Sequence, residues 1–136
     1  VPLLIELKTN SLSKQLERNT LALLEKYQGA IALQSFNSAT VKWLSKQNHP
    51  YPVGQLAEPS LAIKPLNYLC DYWQLNTQMH PDFIGYDIDD VPNKRVTYFK
   101  EKGTPILLWT VRNQSQMDQY TTTFDNVIFE GFTPRS

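Results

Sequence analysis

Six short apolar runs are spaced along the chain, and between them lie stretches with helical spacing; this alternation restricts the fold more than any other feature. The runs are "LLIEL" at 3 to 7, "AIALQSF" at 30 to 36, "PVGQLA" at 52 to 57, "DFIGYDI" at 82 to 88, "PILLWTV" at 105 to 111 and "NVIFEGF" at 126 to 132. Several are continuous rather than alternating, as expected of strands covered on both faces. Strand and helix in strict turn predict parallel strands joined by right-handed helical crossovers. Two architectures satisfy that pattern, a doubly wound sheet and most of an eight-stranded barrel. A dinucleotide-binding fold calls for a glycine-rich turn after the first strand, yet "ELKTNS" has no glycine, and neither G-x-G-x-x-G nor a Walker loop occurs in the chain.

The helical stretches carry start and stop signals. The first places Leu12, Leu16, Leu23 and Tyr27 on one face, with Asn10 or Ser11 as its cap and Gly29 as its end. The second follows Asn37 and turns Val41 and Leu44 inward. A third carries Leu66, Leu69 and Trp73 behind Pro59 and Pro65. In the fourth, Asp90 caps, Pro92 suits the first turn, Val96 and Phe99 share a face, and Gly103 stops the helix. A short fifth helix holds Met117 and Tyr120.

With 136 residues there is material for one domain and one core, spanning 1 to 136. Thirteen basic and 13 acidic residues leave no net charge, which argues against a dedicated nucleic-acid binder. No apolar run approaches the ~20 residues that cross a bilayer, so a soluble chain is expected. The lone Cys70 sits among Leu66, Leu69 and Trp73, where it is expected to pack rather than react.

In parallel α/β folds, ligands meet the carboxyl ends of the strands. Those ends hold Glu6 and Lys8, then Gln34, Ser35 and Phe36, then Tyr86, Asp87 and Asp89, then Trp109, Thr110 and Arg112, and last Glu130. Glu6 and Lys8 stand two apart, so they project to one side of their strand. A carboxylate suits a hard divalent cation such as magnesium or calcium, and a neighbouring ammonium suits a phosphate oxygen. The competing reading is an ion pair at a strand end with no ligand. His49 and His80 precede strands and belong at the opposite, amino-end face. Ser35 lacks a histidine or carboxylate nearby in sequence, which disfavours a nucleophilic role. Asp87, Asp89 and Asp90 read as caps and solvated loop groups before they read as metal ligands. Trp109 either stacks on a ligand or fills the core.

Taken in order, "PLLIELK", "IALQSFN", "ILLWTVRN" and "VIFEGFTP" resemble the later strands of the glycerophosphodiester phosphodiesterase family. The resemblance runs the length of the chain and rests on the E-x-K strand ending, the S-F after the second strand and the W-T-V near the end. It implies an incomplete (β/α)8 TIM barrel of about six parallel strands with connecting helices, the first two barrel strands missing. It further implies a metal-dependent cleavage of glycerophosphodiesters to glycerol 3-phosphate and an alcohol, with magnesium or calcium as the metal. In that frame Glu6 resembles a metal-ligating glutamate and Lys8 the lysine beside the substrate phosphate. Phe36 and Trp109 resemble the aromatic lining of the pocket, and Ser35 a supporting residue.

The sequence departs from the family pattern in one large way. The H-R-G strand, the E-x-D strand and the histidine-aspartate pair, which supply the general acid/base histidines and other metal ligands, are absent from it. One carboxylate ligand of three remains, so this piece by itself is expected to be inactive, to hold metal weakly if at all, and to self-associate through open sheet edges. Arg112 also replaces a common asparagine, and "FEGFTP" replaces T-D-x-P. The wording of "PDFIGYDIDDVPNKRV" and "DNVIFEGFTP" resembles the Gram-positive bacterial branch, some of whose members carry a membrane region and others of which are cytoplasmic. A non-catalytic binding domain derived from the same barrel is the alternative function.

Overall fold

The structure is a computed structural model that describes residues 1–9, 12–58 and 80–135. Its strands are β1 (Leu3–Glu6), β2 (Ile31–Ser35), β3 (Val53–Ala57), β4 (Phe83–Asp87), β5 (Ile106–Val111) and β6 (Asn126–Phe129). They form one sheet in sequence order, every neighbouring pair parallel. The helices are α1 (Gln15–Leu24), α2 (Ser38–Leu44), α3 (Lys94–Glu101) and α4 (Gln114–Tyr120). Six parallel strands in a curled sheet with helices between them make an incomplete (β/α)8 TIM barrel, one of the two architectures the alternation allows and the one the resemblance implies. The third predicted helix, with Leu66, Cys70 and Trp73, lies outside the described residues.

The strands obey period two across a sheet with two different faces. Outward residues pack under the helices in two clusters. One joins Leu7, Leu24, Ile31, Leu33, Val41, Leu44 and Val53; the other joins Ala57, Ile84, Tyr86, Val96, Phe99, Ile106 and Leu108. The opposite face is the concave one. Register places Glu6 beside Gln34, Gln34 beside Gly54, Leu56 beside Gly85, and Asp87 beside Trp109, so all of these share that inner face.

α2 behaves as the sequence predicts. The Asn37 side chain accepts from the amides of Ala39 and Thr40, and Val41 and Leu44 are buried. Asn37 also donates through Nδ2 to the Thr9 carbonyl at 3.2 Å, tying the end of β1 to the start of α2. Asn37→Ala is therefore expected to remove about 1–2 kcal/mol of stability. A urea melt checks this: the midpoint falls while the slope of the transition stays constant.

Two helix starts differ from expectation. α3 is capped by Asn93, whose side chain accepts from the Arg95 amide at 2.8 Å, and not by Asp90. Asp90 belongs to a single 3-10 turn, Ile88–Asp90, and its carboxylate accepts from the Tyr86 hydroxyl and from Asn93 Nδ2, which removes it from the capping position. Pro92 accordingly precedes the helix. Gly103 does close α3 with φ +80°, a conformation in which a Cβ is disfavoured.

α1 begins at Gln15 behind Lys14, so Leu12 lies outside it, and it ends at Leu24, well before Gly29. Leu12 and Leu23 are 89% and 73% exposed and Leu16 is exposed as well. The inward stripe is instead Glu17, Leu21 and Leu24, also at helical spacing. A charged residue heads this stripe because it meets partners there: Thr40 Oγ1 donates to Glu17 Oε1 at 2.6 Å, and Lys14 Nζ reaches the same oxygen at 3.2 Å. Lys14 adopts φ 57°, a left-handed conformation that costs a non-glycine residue roughly 1–2 kcal/mol.

Candidate functional site

At the carboxyl end of the sheet, the chain leaving β1 and the chain leaving β2 border a cleft of about 560 Å³ lined by Glu6, Leu7, Lys8, Thr9, Ser35, Phe36 and Asn37. Two steps along β1 separate Glu6 from Lys8, and two along β2 separate Gln34 from Phe36, so alternation sends these four side chains toward the concave side. Glu6 Oε2 and Lys8 Nζ stand 3.8 Å apart, with the Lys8 side chain 81% and the Glu6 side chain 28% exposed. A pair this loose and this wet contributes little to stability. Its chemical value lies elsewhere: the ammonium is largely exposed on the lining of the cleft, within reach of an anion there.

Phe36 connects this corner to the far side of the mouth. Its ring meets that of Trp109, which projects from β5, edge to face with centroids 5.7 Å apart. The sheet thus brings Glu6, Lys8, Phe36 and Trp109 to one end of the fold, from strands separated by up to about a hundred residues. Ser35 faces the other way. Its Oγ donates to the Leu7 carbonyl at 2.7 Å and accepts from the Asn37 amide at 3.1 Å, so it joins the ends of β1 and β2 and opens α2. Gln55 reinforces the same rim through Nε2, which donates to the carbonyls of Ser35, Phe36 and Leu56.

The remaining polar candidates are engaged elsewhere. Asp87 accepts from the Asp89 amide at 2.9 Å. Arg112 pairs with Glu130 across the exposed ends of β5 and β6. His49 stacks on Tyr51 and its Nε2 lies 3.1 Å from the Leu44 carbonyl, at the amino ends of the strands; His80 is exposed ahead of β4. A second cavity, of about 620 Å³, opens at that amino end between Leu4, Ala32, Phe83 and Leu107 inside and His49, Tyr51 and Asp82 at its rim. Its apolar lining and its distance from the carboxyl ends make it an interior gap of the open sheet.

A divalent cation fits the mouth only in part. Glu6 offers one carboxylate, whereas magnesium or calcium takes roughly six or more oxygens, and no group of three or more His, Cys, Asp or Glu side chains able to hold a metal occurs among the described residues. Glu6 can be one ligand of a larger set and does not make a site alone.

Sequence reasoning passed over two features of the mouth. Gln34 reads in the sequence as a strand ending, yet its Oε1 and the Nε1 of Trp109 are both buried and without a hydrogen-bond partner among the described residues. The signal was a glutamine inside the apolar run "AIALQSF".

No protein-family model matches the sequence, and no curated protein matches it. Among solved structures, a protein from Silicibacter pomeroyi provisionally assigned as a glycerophosphoryl diester phosphodiesterase superposes with a TM-score of 0.66 at 17% identity, over 93% of this chain and 45% of that one. The chain thus spans a little under half the length of that structure. At such identity the likeness establishes the shared fold, a (β/α)8 barrel in part.

Proposed function

We propose that this chain forms the phosphate-lining part of a metal-dependent phosphodiesterase that cleaves glycerophosphodiesters to glycerol 3-phosphate and an alcohol. The observation that carries the reading is the convergence of Glu6, Lys8, Phe36 and Trp109 on one mouth at the carboxyl ends of parallel strands. The E-x-K, S-F and W-T-V wording and the fold-level likeness to a provisionally assigned enzyme of that kind support it.

In this reading Lys8 binds a phosphate oxygen and offsets the negative charge that develops there. Phe36 and Trp109 wall the carbon skeleton and exclude water. Glu6 contributes one oxygen to a divalent cation, which when bound polarises the phosphodiester. Proton transfer needs a histidine or carboxylate beyond those in the cleft, since His49 and His80 lie away from it. The chain alone is therefore expected to bind glycerol 3-phosphate without turnover. Phosphorus NMR of glycerophosphocholine with magnesium or calcium tests this: glycerol 3-phosphate accumulates with the full gene product carrying this chain and not with the chain alone. A full gene product that binds the ester and never releases glycerol 3-phosphate supports the second reading, a binding domain, which the placement of both histidines favours. The phrases "PDFIGYDIDDVPNKRV" and "DNVIFEGFTP" support the Gram-positive bacterial branch as the source. No helix among the described residues is long and apolar enough to cross a membrane.

The sheet ends at β1 and β6, neither of which pairs on its outer side among the described residues. Leu3, Leu4 and Phe129 on those strands are exposed. Unpaired backbone beside apolar side chains invites strand addition, so we expect the chain to self-associate. Light scattering at tens of micromolar is expected to show dimers or larger species that Leu3→Lys disperses; a stable wild-type monomer contradicts the expectation.

A further inference from the structure

We infer that His49 is an acid-sensitive staple at the amino end of the sheet: the neutral ring ties α2 to the entry of β3, and a second proton makes it keep α2 and release Tyr51. The ring stands between two backbone groups of opposite kind. Its Nε2 lies 3.1 Å from the Leu44 carbonyl, which can only accept, and its Nδ1 lies 3.2 Å from the Tyr51 amide, which can only donate. One arrangement of protons satisfies both, the neutral ring with its hydrogen on Nε2.

The staple closes a corner where α1, α2 and β3 meet. Tyr51 stacks on the His49 ring, with centroids 5.4 Å apart and planes inclined by 21°, and its hydroxyl donates to the Leu24 carbonyl at the end of α1 at 3.1 Å. Pro50 and Pro52 follow His49 and Tyr51 in turn. A residue ahead of proline is confined to extended backbone, so the stretch 49–52 has few alternatives and moves as a stiff piece. His49, Pro50, Tyr51 and Pro52 together line one side of the amino-end cavity of about 620 Å³. Release of Tyr51 therefore opens that cavity further to solvent.

A proton acts on the two bonds in opposite directions. Leu44 is the last residue of α2, where the carbonyls carry partial negative charge, so an imidazolium is held there more firmly than a neutral ring. At Nδ1 the added hydrogen faces the Tyr51 N–H, and two donors repel. The surrounding charges leave this contest to the two backbone groups. Asp82, ahead of β4, shares the cavity lining with His49, and its Oδ2 already accepts from the Val53 amide at 2.8 Å. Lys42 and Lys46 near the end of α2, and Glu25 and Lys26 after α1, are exposed and screened by water. Tyr51 is the remaining titratable side chain of the turn.

The test follows the full chain by heteronuclear NMR from about pH 7.5 to 5, the span over which imidazoles take up their proton. At the upper limit the His49 ring should carry its hydrogen on Nε2; a hydrogen on Nδ1 overturns the inference, because that nitrogen then cannot accept from Tyr51. On acidification the Tyr51 amide should lose about tenfold in protection against hydrogen exchange, the worth of one hydrogen bond, with the same midpoint as the ring. The reference is the Ile84 amide, which bonds to the Pro105 carbonyl between β4 and β5 and should keep its protection. His49→Gln keeps a donor and an acceptor that do not titrate and leaves His80 in place, so its Tyr51 protection should not vary over this range. Asp82→Asn should retain the acid response. If His49→Gln does not fold, the wild-type ring and amide decide by whether their midpoints coincide. Tyr51 protection that stays constant, that falls in step with Ile84, or that still falls in His49→Gln overturns the staple.

Discussion

Glu17→Ala is expected to unfold roughly 10 °C below the wild type at pH 7, the equivalent of about 3 kcal/mol for a chain of this size. Glu17 is the buried charge at the head of the inward stripe of α1, and its Oε1 takes the Thr40 hydroxyl and the Lys14 ammonium together. The side chains of the ion pair are 1% and 13% exposed, so this is close to a fully desolvated interaction. Removing the carboxylate leaves an ammonium and a hydroxyl without their acceptor, and the loss of one partner is more damaging than replacement of the whole group by apolar atoms. Lys14 can swing partly into water, which keeps the expected loss toward the lower end of the range for buried pairs. A triple variant with Lys14, Glu17 and Thr40 all made apolar should recover part of it.

The same group gives the stability a pH dependence with a definite sign. Burial pushes the Glu17 carboxyl up, but the hydrogen bond from Thr40, its own backbone amide, and the bond and charge of Lys14 outweigh that and hold it below the ordinary glutamate value. A depressed carboxyl stabilises the fold above the pKa of the unfolded chain, and that stabilisation is lost as the pH falls through the depressed value. Melting of the wild type against Glu17→Gln should show the widest gap near neutrality and a closing gap in acid. A gap that widens in acid contradicts the assignment.

Lys8→Met is expected to weaken binding of glycerol 3-phosphate about 10- to 100-fold, the worth of a hydrogen bond to a charged group. Lys8 is the cation of the cleft, and its loose pairing with Glu6 leaves it free to turn to a ligand. Glu6 supplies a second diagnostic of opposite sign. In metal-free buffer its carboxylate repels a phosphate, so Glu6→Gln should tighten binding, whereas any enhancement by magnesium or calcium should vanish in the same variant. Calorimetric titrations with and without the metal separate the two effects. A Glu6→Gln variant that keeps its metal response removes Glu6 from the ligand set.

The strands and the carboxyl-end residues were legible because both depend on local pattern. Apolar runs bounded by helical spacing fix β1 to β6, and the end of each strand then locates Glu6, Lys8, Phe36 and Trp109 without further knowledge of packing. The face of α1 was not legible. Its true stripe begins with Glu17, and a glutamate reads as solvent-facing until Thr40, from another element, is seen to meet it. The start of α3 failed for a related reason: Asp90 and Asn93 are both good caps, and the Tyr86 hydroxyl, supplied from β4, takes Asp90 away. That Gln34 and Trp109 both come near Gly85 depends on the register of four strands, which no window of sequence contains. Contacts between distant elements decide all three.

The most direct measurement is a crystal structure of the chain grown with glycerol 3-phosphate. The phosphate should lie about 3 Å from Lys8 Nζ at the carboxyl ends of β1 and β2, its carbons against Phe36 and Trp109. Density for the phosphate at another basic group or in the amino-end cavity beside His49, with Lys8 still turned to Glu6, would contradict the account.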